Sequence, residues 1–310
     1  MNKPMANIIK KIMSFSPRQF EGETKTRFFI EDYLNRMDKN YLIQKFNTYI
    51  PKSKKCVLKV DGENIQCLPC TFKVGKIDKG NILLDALKYN GLKNIKAIAY
   101  NSKCKSISLC TFFFYPSLAI SPKYANKIKN SKNINGFVKV EKTKHQSANI
   151  LVGNTINPEK IIFTHYDSIG KGAVDNASGV AVALKLIENL SKNSLVVLAG
   201  NEELSYDQPI YWGHGYRVFE KKYFNLLNKC KKIIAIDSVG NDRTAVFDKR
   251  NKKIMKIGFP FKNSSMLKNK FFCISGGFDK LMEVYHSDRD NFSQIKSKYL
   301  KEALEIVIKL

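Results

Sequence analysis

Apolar residues along this chain change their period more than once, and the changes divide it. Over residues 22–36, Phe28, Ile30, Tyr33 and Leu34 recur at near-helical spacing, which predicts a helix shortly after Ser16-Pro17-Arg18. Residues 41–49 read as a strand ending at Pro51. From 51 to 143 the apolar runs are short, at 56–60, 95–100, 109–115 and 137–140, with Gly, Asn and Lys clusters between them. That pattern predicts an inserted, strand-rich module. After residue 145, apolar runs at 149–152, 161–164, 195–199 and 233–236 alternate with helical stretches at 177–190 and 218–228. Continuously apolar strands separated by helices predict an α/β sheet covered by helices on both faces. A last helix, at about 292–309, carries Ile295, Tyr299, Leu300, Ala303, Leu304, Val307 and Ile308 on one face and docks on that sheet. The Lys/Asn-rich stretches 123–134 and 248–270 read as exposed loops or solvated helix faces. The expected organisation is one domain made of 1–50 and 144–310, interrupted by the module 51–143.

Composition narrows the partners. A chain of 310 residues with 44% hydrophobic and 26% charged residues suits a large globular domain, or a domain with an insert, rather than a disordered chain. Its formal net charge is +26, but the basic residues are overwhelmingly Lys, with Arg only at 18, 27, 36, 217, 243, 250 and 289. Arg forks read bases and phosphates, whereas Lys spread with Asn and Ile is a compositional bias, so no nucleic-acid partner is expected. Ile8-Ile9 is followed at once by Lys10-Lys11, which does not make a signal peptide. The longest uncharged run, 106–122, contains Pro116 and falls short of the roughly 20 apolar residues of a membrane span. A soluble protein without a membrane partner is therefore expected. Cysteines at 56, 67, 70, 104, 110, 230 and 273 make an odd number, which points to a reducing compartment, the cytoplasm. Buried thiols are the plainer reading of them. A bridge is the alternative, as is a structural zinc held by Cys67 and Cys70 with Cys104 and Cys110.

The chemistry lies between 165 and 286. In order come His165-Tyr166-Asp167, Asp175-Asn176-Ala177-Ser178-Gly179, Glu202-Glu203, Asp237 and Tyr285-His286-Ser287. Imidazole and carboxylate ligands suit divalent zinc, and five of them plus a spare carboxylate suffice for two ions and a base. His165 closes the strand 161–164, Asp175 precedes a helix, Glu202-Glu203 follow 195–199, and Asp237 closes 233–236. Loops beyond strand carboxyl ends are where open α/β sheets bind their ligands. His214, in Tyr211-Trp212-Gly213-His214-Gly215, matches no ligand motif, and His145 carries no signal.

These segments resemble the family-28 metallopeptidases, di-zinc aminopeptidases whose motifs run His-x-Asp, Asp-Asn-x-Ser-Gly, Glu-Glu, Asp, His. The resemblance covers roughly 145–310. It implies a mixed sheet of the zinc-exopeptidase type and two divalent ions, zinc in that family. Asp175 would bridge the ions, His165 and Asp237 would complete one site, and Glu203 with His286 the other. Glu202 would be the general base and Asp167 would orient His165 through its other ring nitrogen. Residues 115–121, Tyr-Pro-Ser-Leu-Ala-Ile-Ser, resemble a Pro-Ser-x-x-Ile-Ser segment of the protease-associated domain that several members carry as an insert. The implied function is a zinc-dependent aminopeptidase hydrolysing the amino-terminal bond of peptides. A carboxypeptidase, a glutaminyl cyclase and a non-catalytic basic protein on the same fold are the alternatives. The cyclases carry Asp-Ser and one zinc, so Asp175-Asn176 favours the peptidase. The chain departs from the family at 204–209, Leu-Ser-Tyr-Asp-Gln-Pro, where Gly-Leu-x-Gly-Ser is usual. Side-chain preference, oligomeric state and the place of an oxyanion-stabilising Tyr stay open.

Overall fold

The computed structural model of the chain describes residues 3–88 and 94–310. In chain order it runs α1 (Lys3–Met13), α2 (Glu21–Arg36), β1 (Tyr41–Val60), β2 (Glu63–Asn64), β3 (Cys67–Pro69), β4 (Gly75–Ile77), β5 (Ile82–Asp85), β6 (Ala97–Tyr100), β7 (Leu118–Ile120), α3 (Ala125–Lys129) and β8 (Ile134–Gly153). It continues with β9 (Lys160–His165), α4 (Gly179–Glu188), β10 (Ser194–Ala199), α5 (His214–Lys229), β11 (Lys232–Ile236), β12 (Ala245–Phe247), α6 (Lys252–Gly258), α7 (Ser264–Leu267), β13 (Phe271–Ser275), α8 (Phe278–Met282) and α9 (Ser297–Lys309). Two compact units emerge, one of Met1–Thr48, His145–Leu281 and Asp290–Leu310, the other of Tyr49–Lys144 and Met282–Arg289.

The first unit is built on strands in the order β12-β13-β11-β9-β10-β8-β1. β10, β9, β11 and β13 are mutually parallel, and antiparallel neighbours flank them, β8 on β10 and β12 on β13. The sheet is therefore mixed, as expected. Alternation along each strand sends side chains to opposite faces. Ile161 and Phe163, Leu195 and Val197, Ile233 and Ala235, Phe271 and Cys273 all point to a cluster completed by Tyr216, Phe219 and Leu227 of α5 and Met255 of α6. Helices α1, α4 and α9 pack together on the other side, where α4 meets β9 and β10. Helix α1, which lies outside the elements expected from the sequence, buries Met5, Ile8, Ile9 and Ile12 and turns Lys10 and Lys11 outward.

Several local expectations are corrected. β1 does not stop at Pro51 but runs on to Val60. Proline lacks a ladder donor, yet the strand continues through it. Residues 109–115 form no strand. Phe113 makes a single bridge with Thr71, and Pro116 then ends the run. Residues 248–270 are not simply solvated, because Met255, Phe259, Phe261 and Leu267 enter the core cluster. The carboxyl-terminal helix begins at Ser297, after a separate turn at Phe292–Gln294, and it buries Leu300, Ala303 and Val307 while Ile308, one position round from Val307, is exposed.

The second unit holds a hairpin of β1 and β2, β4 paired with β8, and a four-stranded sheet in the order β3-β7-β6-β5. Its segment Met282–Arg289 comes from within the stretch 144–310 expected to belong to the other domain. Among the described residues no cysteine joins two other His, Cys, Asp or Glu within 4.8 Å, so a four-cysteine zinc site is not formed.

Candidate metal centre

Parallel register puts the ends of β9, β10 and β11 at one edge of the sheet. His165 is paired with Ala199 at the last rung, and Asp237 directly follows β11. The chain after β9 returns through an irregular helical turn, Ala173–Ser178, before α4 begins. Asp175 lies in that turn with non-helical dihedrals. Asn176 fastens the turn to the sheet edge. Its amide nitrogen donates to Thr164 Oγ1 and Ile236 O, both at 3.0 Å, and its oxygen accepts from Gly179 N at 3.1 Å and Ser238 N at 3.3 Å. One side chain thus ties the loops that carry His165, Asp175 and Asp237.

His165 is 1% exposed, and its two nitrogens face different groups. Nε2 lies 3.2 Å from Asp175 Oδ1 and 3.6 Å from Asp237 Oδ1, while Nδ1 lies 3.4 Å from Asp167 Oδ1. Two ligands roughly 2.0–2.2 Å from one tetrahedral zinc stand about 3.3–3.6 Å apart, so the Nε2 side has the spacing of a shared ion. His165, Asp175 and Asp237 each offer a ligand atom within 4.8 Å of one another, and so do Asp175 and Glu203. Burial works to lower the His165 pKa, but Asp167, Asp175 and Asp237 outweigh it and hold it well above the ordinary histidine range. A ring this attractive to positive charge, ringed by carboxylates, fits a divalent cation.

Asp167 has a second task. Its Oδ1 accepts the Glu202 N–H and its Oδ2 the Glu203 N–H, each at 3.0 Å. One carboxylate therefore sets both the imidazole and the Glu-Glu loop. Glu203 is buried and Glu202 half-buried. Burial, reinforced by Glu203, Asp167 and Asp237 and opposed by His165, raises the Glu202 carboxyl well above its usual range. Adjacent residues are thus placed for different work.

Two supporting residues had no signal in the motifs. Arg18 is fully buried and donates Nε to Tyr166 O at 2.7 Å, Nη2 to Gly172 O at 3.0 Å and Nη1 to Lys171 O at 3.2 Å. It bridges both ends of the loop between His165 and Asp175. Burial lowers its pKa to about 10 against the attraction of Asp167, Asp290, Glu203 and Asp175. Asp290 accepts from Val174 N at 2.7 Å and Asp175 N at 3.0 Å, and burial pushes its carboxyl up to about 7.

Of the remaining histidines, His286 belongs to the second unit, where Nδ1 stands 3.1 Å from Leu109 O and the ring stacks on Tyr285 with centroids 3.7 Å apart. His214 faces Asp207 Oδ2 at 2.8 Å, and His145 faces Glu23 Oε2 at 3.2 Å.

The comparisons with known proteins agree with the motifs. Residues 148–256 match the family model described as Peptidase family M28. No curated protein sequence matches the chain. Among solved structures, the zinc aminopeptidase BSAP from Bacillus subtilis is similar, with a TM-score of 0.68 at 17% identity over 98% of this chain and 92% of that one. An aminopeptidase from Aneurinibacillus sp. strain AM-1 gives 0.61 at 17% identity over 98% and 92%. The glutaminyl cyclase of Porphyromonas gingivalis gives 0.54 at 13% identity over 99% and 96%. At these identities the likeness is one of fold. The family match does not reach the module 51–143, whose protease-associated likeness rests on its sequence segment alone.

Proposed function

We propose, for a chain identified with peptidase family M28 by its motifs, its family-model match and its fold, that it is a zinc-dependent exopeptidase, and within that class an aminopeptidase. The observation that carries the reading is the convergence of His165, Asp175 and Asp237 at one sheet edge, with Glu202 and Glu203 held beside them by Asp167. His165, Asp175 and Asp237 would hold one ion. Asp175 and Glu203 would hold a second, for which the motif resemblance supplies His286. Zinc bound there contributes Lewis-acid chemistry, acidifying a water and polarising the scissile carbonyl.

The protein's own groups do the rest. Glu202 accepts the water's proton and returns it to the departing amine. Asp167 keeps the His165 ring oriented and the two glutamates apart in function. Asn176, Arg18 and Asp290 hold the three loops still. Peptides are the proposed partners, and no nucleic-acid partner is proposed because the excess charge is lysine.

An assay with zinc-loaded protein tests the assignment. Short peptides with a free amino terminus should be shortened from that end, and acetylation should abolish turnover. Cleavage of acetylated peptides from the carboxyl end would replace aminopeptidase by carboxypeptidase. Cyclisation of amino-terminal glutamine without hydrolysis would move the protein to the cyclase chemistry of its Porphyromonas neighbour.

A further inference from the structure

The CxxC of the second unit is divided by the fold. Cys67 packs with Cys56 against the cluster of Leu58, Val60 and Ile65, whereas Cys70 is buried in a different cluster with Ala97 and Phe113. Cys56 and Cys67 are both half-buried, and their sulfurs lie 3.3 Å apart. Register explains why. Asp61 and Gly62, with φ of 47° and 87°, form the left-handed pair of a two-residue hairpin turn. Val60 then pairs with Glu63 and Lys59 with Asn64, and Ile65 N donates to Leu58 O at 2.9 Å. Continuing the same count by two residues along each arm sets Cys56 across from Cys67, which accounts for the 3.3 Å between their sulfurs although β3 itself pairs with β7.

We propose that Cys56 and Cys67 are a reversible dithiol–disulfide site, oxidised by thiol–disulfide exchange with a small disulfide such as oxidised glutathione. Either sulfur can donate the hydrogen bond between them; with Cys56 as the donor, Cys67 is the attacking sulfur, its pKa drawn below the ordinary thiol value while the same bond and burial push Cys56 up. The Cys67 thiolate attacks one sulfur of glutathione disulfide, forming a mixed disulfide and releasing one glutathione thiolate. Cys56 then loses its proton to solvent and attacks Cys67 Sγ, which expels the second glutathione. Two protein thiols are oxidised and one glutathione disulfide is reduced to two thiols. The product bond staples β1 to β3, a strand of the four-stranded sheet.

The test uses the full chain, equilibrated near neutral pH with mixtures of reduced and oxidised glutathione, quenched in acid, alkylated, digested and mapped by mass spectrometry. The first cross-linked peptide should join Cys56 to Cys67, with Cys70, Cys104, Cys230 and Cys273 still alkylated after unfolding. In Cys56→Ser, the glutathione adduct on Cys67 should rise from trace to the principal form. A Cys67–Cys70 bond in either protein overturns the proposal. So does a wild-type pair that stays reduced, or that stops at the adduct, when all the glutathione supplied is oxidised.

Discussion

Glu202 and Glu203 are the same residue type at consecutive positions, yet the structure treats them differently. Both backbone N–H groups go to Asp167, while one side chain is buried and the other half-buried with a raised pKa. Glu202→Gln should therefore keep metal content and substrate binding while turnover falls by about 100-fold or more, the range of general-base catalysis. Glu203→Gln should instead lose metal, and excess zinc should partly restore its rate. Metal analysis beside peptide kinetics decides between the roles. Metal loss in the first variant with activity retained in the second would reverse them. At this scale the motif residues were legible because liganding demands particular side chains. Arg18 and Asp290 act through backbone carbonyls and N–H groups of segments distant in sequence, and such contacts leave no spacing to read.

The element that departs from the family, the loop from Glu202 into α5, has its own internal fastening. Asp207 Oδ2 receives Arg217 Nε at 2.9 Å and faces His214 Nδ1 at 2.8 Å, and Gly215 N donates back to Asn201 O at 3.3 Å. Arg217 also donates to Trp212 O at 2.6 Å and Ile210 O at 2.9 Å. This network fastens the loop, and it could not be foreseen because its partners meet only when the loop closes on the helix. Burial alone would raise the Asp207 pKa, but His214 and Arg217 drive it far below the ordinary 3.8. A carboxylate whose folded pKa is depressed contributes stability above its unfolded pKa and loses it as pH falls toward the folded value. Asp207→Asn should thus lower the urea midpoint at neutral pH, and the gap to the parent protein should narrow as pH drops below 3.8. Equal midpoints at pH 7 would show that the pair carries no stability.

Across the whole molecule, the α/β pattern after residue 145 was legible because strands buried on both faces write unbroken apolar runs. The segment Met282–Arg289 was not, since it is a short polar stretch whose place in the second unit depends on long-range contacts such as Asn101 Nδ2 to Met282 O at 2.8 Å. The first unit gathers Asp167, Asp175 and Glu203 out of water beside His165, an arrangement that costs free energy until a cation joins it. Zinc should then stabilise that unit by mass action, about 2.7 kcal/mol when its concentration is 100 times the dissociation constant. The chain's single tryptophan, Trp212, lies in the first unit between Glu203 and α5, so its fluorescence reports unfolding of the unit that carries the candidate metal centre. Chelator-treated protein should melt at the lowest temperature by this probe, with midpoints rising as zinc is added. Glu202→Gln should preserve the zinc-dependent rise, because the proposed base is not a ligand, and His165→Ala should lose most of it. A rise of the same size in His165→Ala would place zinc elsewhere and remove the metal centre from this edge of the sheet.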